Sequence, residues 1–562
     1  MQQRFVGMLL VTAVACVNLG CAEKPLTSVP DTGQAKAVLV PGSGVYSRPI
    51  TTNSAAAQKF FDQGLRFAWG FFFPESIASY QEAARLDPTH PMPHWGMAHA
   101  MGPNPNSRYA RMPDDPLGEG LKAIQRARAL AQNGNDYERD LINALYILYD
   151  AESIANGEQR DLAYLDAARA LHKKYPQDAD VGALYAAAYM SIGRWDYWDA
   201  EGNPKSETAD VAAALERVLV VHPGHPGANH LYIHLLEASL EPERALDAAN
   251  RLEATMPIAG HVVHMPAHIY VRVGQYQKAI ASNERSQRVD REFAAYWGDL
   301  PLPNLGTYPL SHRMHAPHAI DFIRYAATVQ GNYAVAIKAA DKSAGFISPA
   351  NVDKRGGQKR ASAPWLVYKT FGKWDKLLSL TPRYAGLPYL DGIWSYALGG
   401  AYTATGDLAK AKLESEKLSK LANSPDADTY RVGATPASAV LKLAALGLRG
   451  EILQAEGRLE EAIAAFTQAV DIEDQNNYTE PPDWSQPVRH FLGAALVEAG
   501  RFEQAEAVYR RDLRWNQNNG WALYGLYQSL EKQGKNAAAA AVFERYKQAW
   551  QHADVTLSRS RI

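Results

Sequence analysis

Two stretches decide how this chain is read: GANHLYIHLLEAS (227–239) and AGHVVHMPAHIYVRVG (259–274). In the first, His230 and His234 stand four apart, so on a helix they share one face. In the second, His264 and His268 repeat the pair 34 positions later, counted from 230 to 264. Ala245 and Ala279 follow at the same interval. A period of this length predicts a helix pair repeated along the chain, each pair burying its apolar face on the next. The histidines then hold equivalent places in neighbouring repeats and stack side by side. Ten of the sixteen histidines lie between His222 and His318.

The period continues outward. In Phe60 to Pro88, the residues Gly64, Tyr80, Ala83 and Pro88 fall where a tetratricopeptide repeat wants them. PHWGMAHAMGPNPN (93–106) predicts a helix that breaks at Pro103. Residues 136–176 and 178–223 read as two further helix pairs with insertions, the more conspicuous being WDYWDAEGNPKSETAD (195–210). A longer insertion, 292–316, is rich in Pro, Gly and aromatics. Gly331 and Ala336 mark the next repeat, then Gly399, Gly406 and Ala411, then Gly450, Gly457, Ala462, Phe466 and Ala469. Gly493, Gly500 and Ala505 form another, and Gly534 and Ala539 the last. The expected fold is an all-α tetratricopeptide solenoid of about twelve helix pairs, wrapped into a superhelix with a deep concave groove. Its sections are N-terminal repeats at 57–223, histidine-rich repeats at 224–345 and C-terminal repeats at 346–552.

Composition agrees with a large helical core: 562 residues, 47% of them hydrophobic. A formal net charge of -2 and no long Lys/Arg run give no electrostatic case for nucleic acid. No internal run of about 20 apolar residues predicts a membrane span. No HExxH, P-loop, GxSxG or dinucleotide glycine pattern occurs, so none of the standard nucleophile or phosphate-binding designs is legible.

Residues 1–21 read as a lipoprotein-type signal peptide, with Arg4 ahead of an apolar stretch from Phe5 to Val17 and both cysteines near its end. Polar sequence begins right after Cys21, which makes it the expected acylated residue. Ala13-Val14-Ala15-Cys16 is the competing site, and an ordinary signal peptide or retained anchor is the plainer alternative. The body then has no cysteine for a disulfide or thiolate site. Residues 22–56, with Pro25, Pro30, Pro41 and Gly42, read as a flexible tether. With Ala22 after the cysteine, the resemblance to sorted lipoproteins of diderm bacteria implies the periplasmic face of the outer membrane.

HWGMAHAMGPNPN (94–106), HPGANHLYIH (225–234), HMPAHIYVRVG (264–274), EPPDWSQPVR (480–489) and NGWALYGL (519–526) resemble a group of bacterial tetratricopeptide proteins, across nearly the whole chain after residue 21. Members carry HPGxxHxxIH, HMPxHI and EPPxW motifs. This chain departs from them at Gln486, where a Tyr is usual, and at His315-Ala316, where an HN pair is usual. The resemblance implies the fold and no activity.

With Ala245 and Ala279 at position 20 of their repeats, the groove positions are Gly227, His230, His234 and Glu237, then His261, His264, His268 and Val271. Ala336 at that position makes the third set His318, Asp321, Tyr325 and Thr328. First helices of adjacent repeats pack about 8–10 Å apart, so their imidazoles can meet at one ion, with bonds of about 2.0–2.1 Å for zinc. His230, His234, His261, His264, His268, His318, Glu237 and Asp321 are the candidate ligands. Imidazole and carboxylate without thiolate suit a divalent Zn, Cu, Fe or Ni. Tyr325, His99, Arg489 and Glu480 are candidate ligand-binding residues. Histidines four apart are commonly a plain surface or core pair, so a metal-free polar groove that binds a peptide, a partner protein or a small molecule is the competing reading. A helix starting at Pro266 would also leave His261 and His264 on its entering turn. Two functions stay open: a membrane-anchored extracytoplasmic binding or scaffold protein, and a metal-dependent enzyme with Glu237 or Asp321 as ligand or general base.

Overall fold

Helix follows helix from Ala55–Trp69 to Asn536–Ala549 in a computed structural model that describes residues 35–106, 116–302, 310–311, 314–354, 356–476 and 478–562. Cys16, Cys21 and the rest of the signal segment lie outside the described residues. Within them are twenty-five α-helices, of which Gly260–His264 and Pro266–Arg272 are two halves of one, giving twelve successive pairs. No strand occurs among the described residues, only the isolated bridges Trp198–Pro204 and Arg431–Pro436. The hairpin Ala437–Ala455 with Leu459–Asp474 shows the local rule. Its turn needs a residue in the left-handed region, and Gly457 supplies it at φ 76°.

The solenoid closes on its histidine repeats from both sides. On one side lies the chain ahead of the first helix. Val40 N–H donates to Gln63 Oε1 (2.8 Å), and Gln63 Nε2 donates to the Val38 carbonyl (2.8 Å). Arg66 Nε donates to the Ser43 carbonyl (2.8 Å), and Thr51 N–H to Glu138 Oε1 (2.8 Å). Val40 and Ile50 are buried. Composition reads 22–56 as a tether; its described part instead spends its backbone groups on the helices and is a packed strap.

On the other side lie the last repeats. Arg272 Nε donates to the Trp515 carbonyl (3.3 Å), with its guanidinium 3.8 Å over the Trp515 ring. Tyr276 Oη donates to the Gln517 carbonyl (2.8 Å), and Trp521 Nε1 to the Thr328 carbonyl (3.0 Å). Groove positions of the middle repeats are therefore covered. The insertion expected over 292–316 also begins later, because the helix Tyr276–Trp297 carries through its first residues. Packing continues past 552: Leu557 is buried and Ser560 Oγ donates to the His490 carbonyl (2.7 Å).

Candidate metal centre

The helix Pro226–Leu236 opens with proline at its first turn and His225 as its cap, Nδ1 accepting the Ala228 N–H at 2.9 Å. His225 Nε2 in turn meets Asp180 Oδ1 (3.1 Å), which also receives Trp69 Nε1 (3.1 Å). That carboxylate pins the end of the first helix against this one. Gly227 makes the approach possible, since a Cβ there would lie 2.4 Å from Trp69 Cδ2. The Trp69 carbonyl thereby reaches His230.

In the next repeat Pro266 has no N–H to give, and the helix is interrupted between His264 and Pro266. Met265 keeps helical angles (φ -54°, ψ -35°), so the chain does not leave its path. Ser282 Oγ donates to the Val263 carbonyl (2.5 Å), one turn before Ala267. His261 and His264 thus stay in the interior, at 5% and 1% exposure.

Second partners fix the imidazoles. His230 Nδ1–H donates to the Trp69 carbonyl (2.6 Å) and His234 Nδ1–H to Glu237 Oε1 (2.8 Å). His268 Nδ1–H donates to the other oxygen of Glu237. Asn283 Nδ2 donates to the Ala279 carbonyl (2.8 Å), which turns its Oδ1 toward His264 Nδ1 at 2.6 Å and makes that nitrogen the protonated one. With all four protons on Nδ1, all four Nε2 atoms carry lone pairs. His264 Nε2 stands 2.8 Å from His268 Nε2, and His230 Nε2 3.2 Å from His261 Nε2. His234 Nε2 is buried with no hydrogen-bond partner.

With one ligand atom counted per residue, three sets have atoms within 4.8 Å of one another: His230, His234 and His261; His264, His268 and His318; and His234, Glu237 and His268. Register brings the histidine pairs of adjacent repeats to one ion, whereas the structure gathers them as two trios, with His261 joining the first pair and His318 the second. Burial, then the charge of neighbouring imidazoles, pushes His230, His261 and His264 well below the usual histidine range. Burial lowers His318 to about 3. Burial alone would raise Glu237, but His268 and His234 outweigh it and hold the carboxyl below its ordinary range.

The aromatic cover was not legible in the sequence. Phe71 (φ 63°) and Trp195 (φ 69°) sit in the left-handed region that large side chains avoid. The Phe71 ring centroid is 4.3 Å from His230, and Trp195 Nε1 donates to Glu237 Oε1 at 2.8 Å. Trp195 belongs to the conspicuous 195–210 loop and Phe71 to the aromatic run WGFFFP (69–74); no signal pointed to Asn283 or to the Trp69 carbonyl.

Glu480 does arrive at the centre. Its Oε2 is 3.4 Å from His268 Nδ1, buried and without a hydrogen bond, while its Oε1 receives Tyr478 Oη. Burial and the charge of Glu237 raise its pKa well above the ordinary carboxyl value.

The remaining candidates stand elsewhere. Asp321 is engaged outside the trios: it accepts from Ser343 Oγ (2.8 Å) and Arg360 Nε (3.0 Å). Tyr325 is buried against Asn516, its hydroxyl 3.2 Å from Oδ1. His99 is stacked on Trp95, with ring centroids 5.3 Å apart. Arg489 forms a two-point pair with Asp474 (2.7 and 2.6 Å) that explains its position without a ligand.

Solved structures with a similar arrangement include human IFIT1, as a dimer with m7Gppp-AAAA: 14% identity over 86% of this chain and 94% of that one, TM-score 0.33. Yeast Tom70 gives 9% identity over 88% and 90%, TM-score 0.27. No curated protein matches. Residues 453–525 match the tetratricopeptide repeat family, and with twelve helix pairs and no strand among the described residues the chain is an α-solenoid of helix pairs.

Proposed function

We propose that this solenoid is a binding protein whose buried histidine centre holds a transition-metal ion, Zn, Cu, Fe or Ni, through imidazole nitrogens. The His264–His268 contact carries the reading. Both rings hold their proton on Nδ1, so two lone pairs face each other at 2.8 Å. Such a pair needs a cation between or beside it. Two nitrogens bound to one ion at about 2.0 Å, with angles of 90–110°, stand about 2.8–3.3 Å apart, which the spacing fits. A proton could serve instead, but only as a buried imidazolium in a site that depresses histidine basicity. Glu237, Asn283 and the Trp69 carbonyl are the outer groups that orient metal-binding imidazoles.

The cover of Phe71 and Trp195 speaks against a peptide lying in the groove at this place; partners would dock on other faces of the repeats. Metal-dependent catalysis is the second reading, favoured by the uncommitted Glu480 oxygen beside His268. Extracytoplasmic anchoring through Cys21 belongs to the same proposal, and Cys21→Ser should abolish lipid labelling and release the protein from membranes.

Elemental analysis of protein purified without a histidine tag should find metal that His264→Ala and His268→Ala lose and that His172→Ala and His552→Ala retain. Metal-free protein after exposure to all four ions, or equal loss in all four variants, overturns the proposal.

A further inference from the structure

The six histidines of the proposed metal centre do more than surround one ion, an inference that rests on metal binding at that site. The trios His230/His234/His261 and His264/His268/His318 share no member. Each has its own phenyl ring against it. Phe71 lies with its centroid 4.3 Å from His230, 5.7 Å from His261 and 6.0 Å from His234. Phe322 lies 4.8 Å from His264, 4.7 Å from His268 and 5.1 Å from His318. The trios are neighbours, with ring centroids 5.7 Å apart between His234 and His268 and 6.1 Å between His261 and His264. Glu237 ties them together, one oxygen on a histidine of each.

We propose that the centre is dinuclear, one ion per trio, and that the ions are copper, held in the monovalent state. The donor set argues for the count: three imidazoles are a full coordination sphere for monovalent copper, and each trio supplies three. Charge argues for the metal. An imidazole bound to a metal brings no charge, and Glu237 is the carboxylate bonded to both trios. Two divalent ions would bring four positive charges into this buried volume, and two monovalent ions bring two. The cost of moving an ion out of water rises with the square of its charge, so each divalent ion costs about four times as much before compensation. Copper binds imidazole strongly and is the first-row metal with an accessible monovalent state. His318 is the least buried of the six.

The test is an anaerobic titration of the full chain with Cu(I), with ascorbate present, reading copper bound per chain and checking fold by circular dichroism. Wild type should bind two. His230→Ala/His261→Ala should bind one, and so should His264→Ala/His318→Ala. His318→Gln, at the least buried position, is the gentle second variant and should weaken one copper of the two while the other keeps its affinity. A wild-type stoichiometry of one, abolished by either pair of substitutions, overturns the dinuclear assignment. Two zinc ions bound in preference to copper overturn the choice of metal and leave the count. Binding of no metal at all sinks the metal-binding reading itself, a different failure from the other two.

Discussion

Glu237→Gln is the sharpest perturbation of the centre, because one carboxylate holds three donors. Its Oε1 accepts from His234 Nδ1 (2.8 Å) and Trp195 Nε1 (2.8 Å), and its Oε2 from His268 Nδ1. Glutamine offers one acceptor oxygen and one NH2 in the same shape. Keeping the oxygen on the side with two donors turns the NH2 toward His268 Nδ1. That nitrogen must then accept, which moves the ring proton to Nε2 and removes the lone pair facing His264. Loss of such an outer partner weakens metal binding by about 10–100-fold, or about 1.4–2.7 kcal/mol. The loss should be larger for the trio containing His268. A competition titration against a chromophoric chelator measures it, with Glu506→Gln, whose partners Arg510 and Lys535 lie in the last repeats, as the unchanged control. Trp195→Phe removes one donor of three and should give a smaller loss of the same sign. Wild-type affinity in Glu237→Gln, or equal losses in Glu237→Gln and Glu506→Gln, would refute the orienting role.

Acid should destabilise the metal-free protein. His99 is lowered by burial to about 4 from an ordinary 6.5, so the unfolded chain takes up the proton first. Its contribution is fully present above about pH 6.5 and is lost as pH falls, reaching about 2 kcal/mol at pH 5; calorimetry that finds the same Tm at pH 7.5 and 5 contradicts this. Phe71→Gly should relieve left-handed strain of about 1–2 kcal/mol while opening the first trio. Bound metal should then pass to an external chelator several-fold faster, and an unchanged release rate would show that Phe71 does not cover the site. Gly227→Val places a side chain where Trp69 stands and should cost about 1–3 kcal/mol with a measurable loss of metal; denaturant titration and metal content read both, and a neutral outcome rejects the close approach as a requirement.

What the sequence made legible was local and periodic. The 34-residue spacing of His230/His234 and His264/His268 requires equal placement in neighbouring repeats, and burial on shared faces follows from that. Glu237, one turn beyond His234, was legible for the same reason. Asp321 was placed by the same rule, but a groove position says nothing about Arg360 arriving 39 residues later to take the carboxylate. Pro266 was recognised as an obstacle, but its effect could not be derived from spacing. A break that keeps Met265 helical leaves His264 inside, and a break that does not would turn it out.

Glu237 and Asn283 belong to the histidine repeats themselves, but the other groups around the cluster come from distant segments, which no repeat encodes. The Trp69 carbonyl that orients His230 is 161 residues away, and Trp195 is 42 residues from Glu237. Glu480 reaches His268 from a turn 212 positions later, counted from 268 to 480. Trp69 ends the first helix, Trp195 lies in the 195–210 loop and Glu480 in the turn ahead of the helix Arg489–Glu498, so each comes from a different part of the chain. The histidines alone would be a row of imidazoles along a groove, free to rotate and hydrate. Closure buries them, while Asn283 and Glu237 hold the Nδ1 protons of His264 and His268 and leave two lone pairs facing across 2.8 Å. Repulsion between those lone pairs is a cost that the folded chain bears when empty, and a bound cation turns the same contact into a favourable one. The residues that close the superhelix therefore also set the affinity of the centre, which is why Gly227, Trp69 and Phe71 belong to it as much as the histidines do.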